Sequence, residues 1–334
     1  MSRKVRRWLL LVVGVAAVAG LAILMRGPAE FSVPLPNPNG YDDFVEAAAL
    51  LKGQPGEYQT LASGALGDLV ATNAEALRWL RLGLTRICSV PTDVAVTNFP
   101  AILNDLPGQK RLALLLAAEG CLALTNGRPA DATRSYLDAV RFGNEISRGG
   151  AVINRLVGLA CEAIGLSGLA KVAPTLDCEL QRKVIADLNQ IDRSAVDWSE
   201  VIQIEKRLTR QQRLMQNPLQ QLVAWWENRG STARAEIRHK LNAASVRLLA
   251  TELALRCYQS EHGSGPAGLD QLVPAELPRV PIDPFTGKPL IYRLQGTNWL
   301  LYSVGVDGID NGGTPVARPT RSSKATGDLF YDSW

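Results

Sequence analysis

Apolar residues recur at helical spacing along most of the chain, from Tyr41 to about Ser260. Residues 109–125 are strongly apolar and run into Asn126-Gly127, a pair that ends helices because glycine readily adopts the left-handed conformation. Residues 72–75, Thr-Asn-Ala-Glu, have the sequence of a capping box and precede apolar positions at helical spacing. This pattern predicts a mainly α-helical protein.

Two further helices are predicted near residues 129–147 and 152–172, since Gly149-Gly150 and Pro174 end the two patterns. Here five residues fall at the spacings of small and large positions in a tetratricopeptide repeat: Leu116, Gly120, Ala132, Tyr136 and Ala139. No second copy follows about 34 residues away, as an array of such repeats requires. We therefore favour an ordinary helical hairpin in a bundle and keep a peptide-binding repeat as the alternative.

A continuous apolar segment, residues 8–25, follows the basic tail of residues 1–7. It contains no charge and would span about 27 Å as a helix, close to the thickness of a bilayer core. The four basic residues before it, with Arg26 alone just after it, predict an N-terminus in the cytoplasm. We expect a single-pass anchor in a bacterial inner membrane, with lipid as a partner and the bulk of the chain in the periplasm. The alternative is a signal peptide cleaved at Ala17-Val18-Ala19, which would leave an apolar new N-terminus.

The net charge changes the picture only at that end. Lys and Arg number 36 against 32 Asp and Glu, and residues 1–7 hold the whole excess of four. The rest is charge-balanced, which argues against nucleic acid as a partner.

Residues 26–40 hold four prolines and predict a linker. A basic run at 206–240 contains Trp225 and Trp226; we favour a solvated helix face over a surface for anionic lipid headgroups, because its charges form no single stripe.

Beyond about residue 260 the composition shifts to Gly, Pro and Asp. Gly263, Gly265 and Pro266 end a long helix. Residues 290–293 and 299–303 are short apolar runs on either side of Gly296. They predict two short strands joined by a turn.

Several elements follow one another in this region: Cys257-Tyr258, His262-Gly263, Pro266, Leu269, Leu272-Val273-Pro274, Asp283-Pro284, Gly287-Lys288-Pro289-Leu290, Tyr292, and residues 301–308, Leu-Tyr-Ser-Val-Gly-Val-Asp-Gly. In order and spacing they resemble the head of the major pseudopilin of type II secretion, general secretion pathway protein G. The resemblance covers residues 241–334 and implies a small α+β unit. A pseudopilin has a glutamate in an apolar N-terminal helix that leads directly into its head. Here residues 8–25 contain no acid and residues 26–240 intervene, so the chain resembles a protein that has borrowed the head, not a filament subunit.

The resemblance also implies calcium as a cofactor, because pseudopilins of this type bind it in the loop after the matching strand. The candidate ligands are Asp307 and Asp310, with Asp328 third and Asn311 beside them. Calcium prefers carboxylate and carbonyl oxygens. The alternative is an Asp/Gly-rich turn whose side chains bind their own backbone.

Recognisable catalytic motifs are absent from the sequence. The two histidines, His239 and His262, have no partner at zinc spacing, and there is no G-x-S-x-G, P-loop or Rossmann glycine pattern. Of the five cysteines, Cys161 with Cys178 and Cys88 with Cys121 are candidate disulfides. The favoured alternative is that all five are small apolar core residues.

These observations predict five parts: a cytoplasmic tail (1–7), a transmembrane helix (8–25), a proline-rich linker (26–40), a periplasmic helical domain (41–240) and a pseudopilin-like module (241–334). The expected function is that of a membrane-anchored periplasmic binding or assembly protein without catalysis, linked to secretion or to the envelope and with an envelope protein as partner. A periplasmic hydrolase-like enzyme with an unidentified site is the first alternative. A minor component of a type II secretion or pilus-like system is the second.

Overall fold

A computed structural model describes residues 34–92, 95–213, 218–316 and 325–333, with side chains except in 95–101 and 211–230. The basic tail, the expected span at 8–25 and most of the linker lie outside these ranges. The side chains of Trp225 and Trp226 also lie outside them.

Helices make up most of the described chain. The α-helices are α1 (Gly40–Ala49), α2 (Ser63–Thr72), α3 (Ala74–Leu84), α4 (Ala95–Thr125), α5 (Pro129–Glu145), α6 (Val152–Val172), α7 (Cys178–Arg193), α8 (Trp198–Arg213) and α9 (Pro218–His262). Short 3-10 helices occupy Pro55–Thr60, Ala173–Thr175 and Leu269–Leu272. Two antiparallel strands, β1 (Ile291–Gln295) and β2 (Asn298–Tyr302), form the sheet. The mainly helical fold with a short antiparallel sheet is thus confirmed.

Glycine ends several elements where the sequence predicts it. Gly127 follows α4 with φ +70°, and Gly296 turns the hairpin with φ +64°. In the sheet Ile291 lies opposite Tyr302 and Gln295 opposite Asn298. At both positions the chain reverses through a left-handed backbone conformation, which glycine adopts with little strain because it has no Cβ atom.

The capping box expected at residues 72–75 is wrong in its chemistry, although a helix does begin there. Thr72 ends α2, and α3 starts behind Asn73 without a side-chain cap. The Asn73 amide binds the loop before α2 instead: its Oδ1 accepts from the Lys52 N–H at 2.8 Å, and its Nδ2 donates to the Lys52 carbonyl at 3.0 Å. A long-range contact has therefore taken the group that would cap the helix.

Close approach of helices builds the core around Tyr136 of α5. A Cβ atom at Gly120 of α4 would lie 2.6 Å from the Tyr136 ring, and one at Gly168 of α6 would lie 2.3 Å from it. The ring therefore fills the space that two glycines leave. On the other side of α5, Phe142 meets Phe44 of α1 edge to face, with ring centroids 4.9 Å apart.

The C-terminal region shares its core with the helices. Leu253 of α9, Leu301 of β2 and Leu329 belong to one buried cluster with residues of α4 to α7. The Trp299 indole N–H donates to Glu252 of α9 at 2.9 Å. Residues from Pro36 to Trp334 pack as one unit, and the boundary drawn at 240/241 falls inside α9.

Within the described ranges, one helix is long and apolar enough to cross a membrane: Val152–Thr175, which is α6 with the turn after it. More than half of its apolar window is buried among other helices, as in the core helix of a soluble protein. This feature is therefore weak evidence for a span.

Candidate functional site

A cleft of about 990 Å³ opens between α3, α5 and the end of α7. We call it the arginine cleft, because five arginines line it: Arg81, Arg86, Arg134, Arg141 and Arg148. Asp138 and Glu145 are the acids in its lining. Its volume is at the upper end of the range for small-molecule pockets.

One face of α5 and the turn after it supplies most of the charged lining. Arg134, Asp138, Arg141, Glu145 and Arg148 follow one another at spacings of three and four residues. Residues at these spacings lie on the same side of a helix. The segment therefore presents an alternating stripe of arginine and acid to the cleft.

Ion pairs with neighbouring helices hold the arginines in place. Arg81 binds Glu119 of α4 and, through Nε, Asp138 at 3.0 Å. Arg86 Nη1 donates to both oxygens of Asp43, at 2.7 and 2.8 Å.

Of the other three arginines, Arg141 also pairs with a neighbouring helix and donates to Asp187 of α7 at 2.5 Å. The other two pair with acids three residues earlier in their own segment: Arg134 donates to Asp131 at 3.1 Å, and Arg148 to Glu145 at 2.8 and 3.0 Å. Arginines held this way lose less side-chain entropy when they bind a ligand.

In every one of these ion pairs the arginine is the more exposed partner. The Arg86 side chain is 31% exposed and that of Asp43 only 4%. Burial raises the pKa of Asp138, although its hydrogen bond with Arg81 opposes the shift. The arginines therefore present more of their surface than their carboxylate partners do, and two of those partners, Asp43 and Asp138, are nearly covered.

The cleft also offers apolar surface. Leu84, Ile87 and Ile191 line it. Ile87 is 74% exposed, the highest value among the large hydrophobic side chains of the described residues. An exposed isoleucine beside arginines suits a ligand that combines acids with an apolar side chain.

A second, smaller pocket of about 430 Å³ lies between α6, α7, α8 and α9. We call it the polar pocket, because Arg155, Glu162, His239 and Asn242 meet in it, with Trp198 on one wall. Arg155 and Glu162 are each 2% exposed at the side chain, and Arg155 Nη1 lies 2.5 Å from Glu162 Oε1. Perturbed titratable groups in a pocket are a common mark of function.

The polar groups of this pocket satisfy one another. Asn242 donates to the second oxygen of Glu162, and Arg155 Nε donates to His239 Nδ1 at 3.2 Å. Burial raises the pKa of Glu162, while burial and the charge of Arg155 lower the pKa of His239 to about 4. Because Nδ1 accepts this hydrogen bond, the neutral ring carries its proton on Nε2, and among the described residues no hydrogen bond involves that N–H, which is left to donate to a ligand.

The predicted calcium ligands lie on one loop after β2, which we call the aspartate loop (residues 307–316 with 325–329). Asp307 Oδ1 accepts from the Ile309 N–H at 3.0 Å. Asp328 is fully buried; Oδ2 accepts from the Gly313 N–H at 2.7 Å and Oδ1 from the Asn311 N–H at 3.2 Å.

Asp310 also has both carboxylate oxygens engaged, by the Tyr302 hydroxyl at 2.7 Å and by Arg293 at 2.9 Å. The Tyr302 hydrogen bond lowers the pKa of Asp310, and burial raises that of Asp328. No group of three or more His, Cys, Asp or Glu among the described residues is arranged to hold a metal ion.

Calcium at Asp307, Asp310 and Asp328 stays a prediction. Binding would raise the melting temperature in millimolar calcium and reverse with a chelator, and Asp307→Asn would abolish the shift. No shift would exclude the site.

Sequence reasoning missed both the arginine cleft and the polar pocket. The cleft could have been predicted in part, because arginines and acids alternate at helical spacing from Arg134 to Arg148. The polar pocket had none, because Arg155 and His239 are far apart in sequence and meet only through the packing of α6 against α9.

Comparisons with protein-family models, with curated proteins and with solved structures found no match to this chain.

Proposed function

We propose that this protein is a membrane-anchored periplasmic binding protein that holds an acidic segment of an envelope protein in the arginine cleft and does not catalyse a reaction. The observation that supports this most is the unequal exposure of charge in the cleft, where each arginine is more exposed than the carboxylate that it pairs with. Electrostatic complementarity of this kind steers and orients a partner.

The expected ligand is an extended acidic peptide with an apolar side chain. Arg86 and Arg148 keep guanidinium N–H groups that bind no described residue, since Arg86 uses only Nη1 and Arg148 only Nε and Nη2. These groups can pair with carboxylates in the planar geometry that arginine favours. Ile87 offers the contact for an apolar residue.

The membrane anchor and the periplasmic address rest on residues 8–25 and on the charges around them. A fusion of alkaline phosphatase to the C-terminus tests the address, because that enzyme is active only after export. The mass of the membrane-extracted protein separates an anchor from a cleaved signal peptide. A cytoplasmic C-terminus would overturn this part of the proposal.

Fluorescence anisotropy of the full chain in detergent micelles tests the cleft. The probe is a labelled peptide in which glutamates flank a leucine, and a matched peptide has lysine in place of glutamate. We expect the acidic peptide to bind more tightly, and its affinity to fall as salt is added.

Two charge-reversal variants test whether the peptide binds in the arginine cleft. Arg134→Glu changes the most exposed arginine of the cleft, whose single pair with Asp131 is partly exposed. Arg238→Glu makes the same charge change on an exposed residue of α9, outside the cleft lining. We expect Arg134→Glu to weaken binding at least about fivefold, roughly 1 kcal/mol, and Arg238→Glu to leave it unchanged. Equal affinities of the two variants, or binding of anionic vesicles instead of the peptide, would refute the proposed ligand.

A hydrolase is the second candidate, and the polar pocket is the observation that favours it. Glu162 and His239 have shifted pKa values there, as catalytic acids and bases do. We rank it second because Arg155 and Asn242 occupy both oxygens of Glu162. Turnover of a panel of ester and peptide substrates that His239→Gln abolishes would reverse this order.

A further inference from the structure

Two cysteines that the sequence did not pair lie side by side. Cys178 is the first residue of α7, and Cys257 lies near the end of α9. The Cys257 thiol lies 3.5 Å from the carbonyl oxygen of Cys178 and 3.2 Å from Gln181 Oε1. All five cysteines of the chain are free thiols in this structure.

The surroundings of the two thiols differ. Cys257 is fully buried, and Cys178 is half-buried at the surface end of the contact. Burial is the main cause that raises the pKa of the Cys257 thiol, and a hydrogen bond with the Cys178 side chain adds to it, so the thiol stays protonated. An external oxidant therefore reaches Cys178 first.

The disulfides considered from the sequence involve other contacts. Cys161 is buried in α6 and its thiol lies 3.9 Å from the Gln109 carbonyl. Cys178, its candidate partner, instead contacts Cys257 of α9. Cys88, from the second candidate pair, packs with Phe44 and Leu80 in the core cluster that includes Cys161.

We propose that Cys178 and Cys257 are a disulfide site that joins the start of α7 to α9. The oxidant is a disulfide, either of a small thiol or of a dithiol oxidoreductase. The Cys178 thiolate attacks one of its sulfurs, forms a mixed disulfide and releases the first thiolate. The Cys257 thiol then loses its proton and attacks the Cys178 sulfur, which releases the second thiol. The protein loses two protons and two electrons, and the oxidant's disulfide is reduced to two thiols.

The bond would close a loop between residues 79 positions apart, a large constraint on the unfolded chain. It would stabilise the folded protein, in which the Cys257 thiol already lies against Cys178. This inference is independent of the ligand proposed for the arginine cleft.

The test uses the full chain in detergent micelles with oxidised glutathione as the probe. After acid quenching, alkylation and proteolysis, we expect one linked peptide that contains Cys178 and Cys257, with the mass of two hydrogens missing. The melting temperature should rise by at least about 5 °C and fall back in dithiothreitol.

Two variants make the result decisive. Cys178→Ser leaves the buried Cys257 in place and should abolish both the linked peptide and the temperature shift. Cys121→Ser, a change at another half-buried cysteine, should abolish neither. A glutathione adduct that persists on Cys178 with Cys257 still free, or a link from Cys178 to Cys161, would overturn the proposal.

Discussion

Neutral His239 makes the stability of the folded protein depend on pH in a way that can be isolated. His239 Nδ1 accepts a hydrogen bond from Arg155 Nε at 3.2 Å, so a proton there would remove the acceptor and place two positive charges together. Burial and Arg155 lower its pKa from 6.5 to about 4. The folded pKa lies below the unfolded one, so the unfolded chain takes up the proton first. Stability is therefore complete above about pH 6.5 and is lost as the pH falls toward 4.

The size of the effect follows from the two pKa values. Between pH 7 and pH 4.5 the shift removes about 2 kcal/mol from the free energy of unfolding. His239→Gln keeps an acceptor for Arg155 but has nothing to protonate. We expect this variant to lose about 2 kcal/mol less than the wild type over the same range. Lys240, Arg247 and Asp197 also surround the ring and are unchanged in the variant.

Urea unfolding followed by circular dichroism at the two pH values measures the difference. His262→Gln is the matched control, because it removes the other histidine, which is exposed at the end of α9. It should follow the wild type. Glu162 titrates in the opposite sense, since burial raises its pKa, and its presence in all three proteins limits its influence on the comparison. Parallel pH curves for the wild type and His239→Gln would refute the assignment of His239 as a neutral, half-buried histidine.

Three further predictions concern packing. A Cβ atom at Gly158 would lie 2.2 Å from the Gly143 carbonyl oxygen, so Gly158→Ala should lower the free energy of unfolding, measured in urea, by about 2–4 kcal/mol. The control Gly64→Ala should cost nothing, because no atom lies within 4 Å of its new carbon. Similar costs for the two variants would contradict the close crossing of α5 and α6. Asp328→Ala should cost about 2–3 kcal/mol by the same assay, because two backbone N–H groups lose their acceptor; an unchanged midpoint would show that the loop does not depend on them. A fragment of residues 241–334 should lack the dispersed NMR spectrum of a folded domain, because α9 packs on α7, and a dispersed spectrum would mean that the region folds alone.

Helix ends and the hairpin were predictable because they depend on neighbouring residues. Gly127 and Gly296 both have positive φ angles, and the turns that they allow depend on the residues next to them in sequence. The Asn73 side chain shows where this reasoning stops. Its amide could cap α3 or bind Lys52, and only the packed structure decides between the two.

The candidate sites were less accessible because they form between helices. The stripe on α5 can be read from the sequence, but its meaning depends on Arg81 and Asp187, which come from α3 and α7. The Cys178–Cys257 contact likewise requires that α7 packs on α9. Spacing along one chain segment contains no information on which helix becomes a neighbour.

The Tyr136 ring between Gly120 and Gly168 has a consequence for the history of the sequence. A larger residue at either glycine would be accepted only together with a smaller one at position 136, because all three helices meet at this ring. Substitutions at these positions should therefore be correlated among homologues. A collection of homologues in which position 136 shrinks while both partners remain glycine would show that the cavity is filled in some other way.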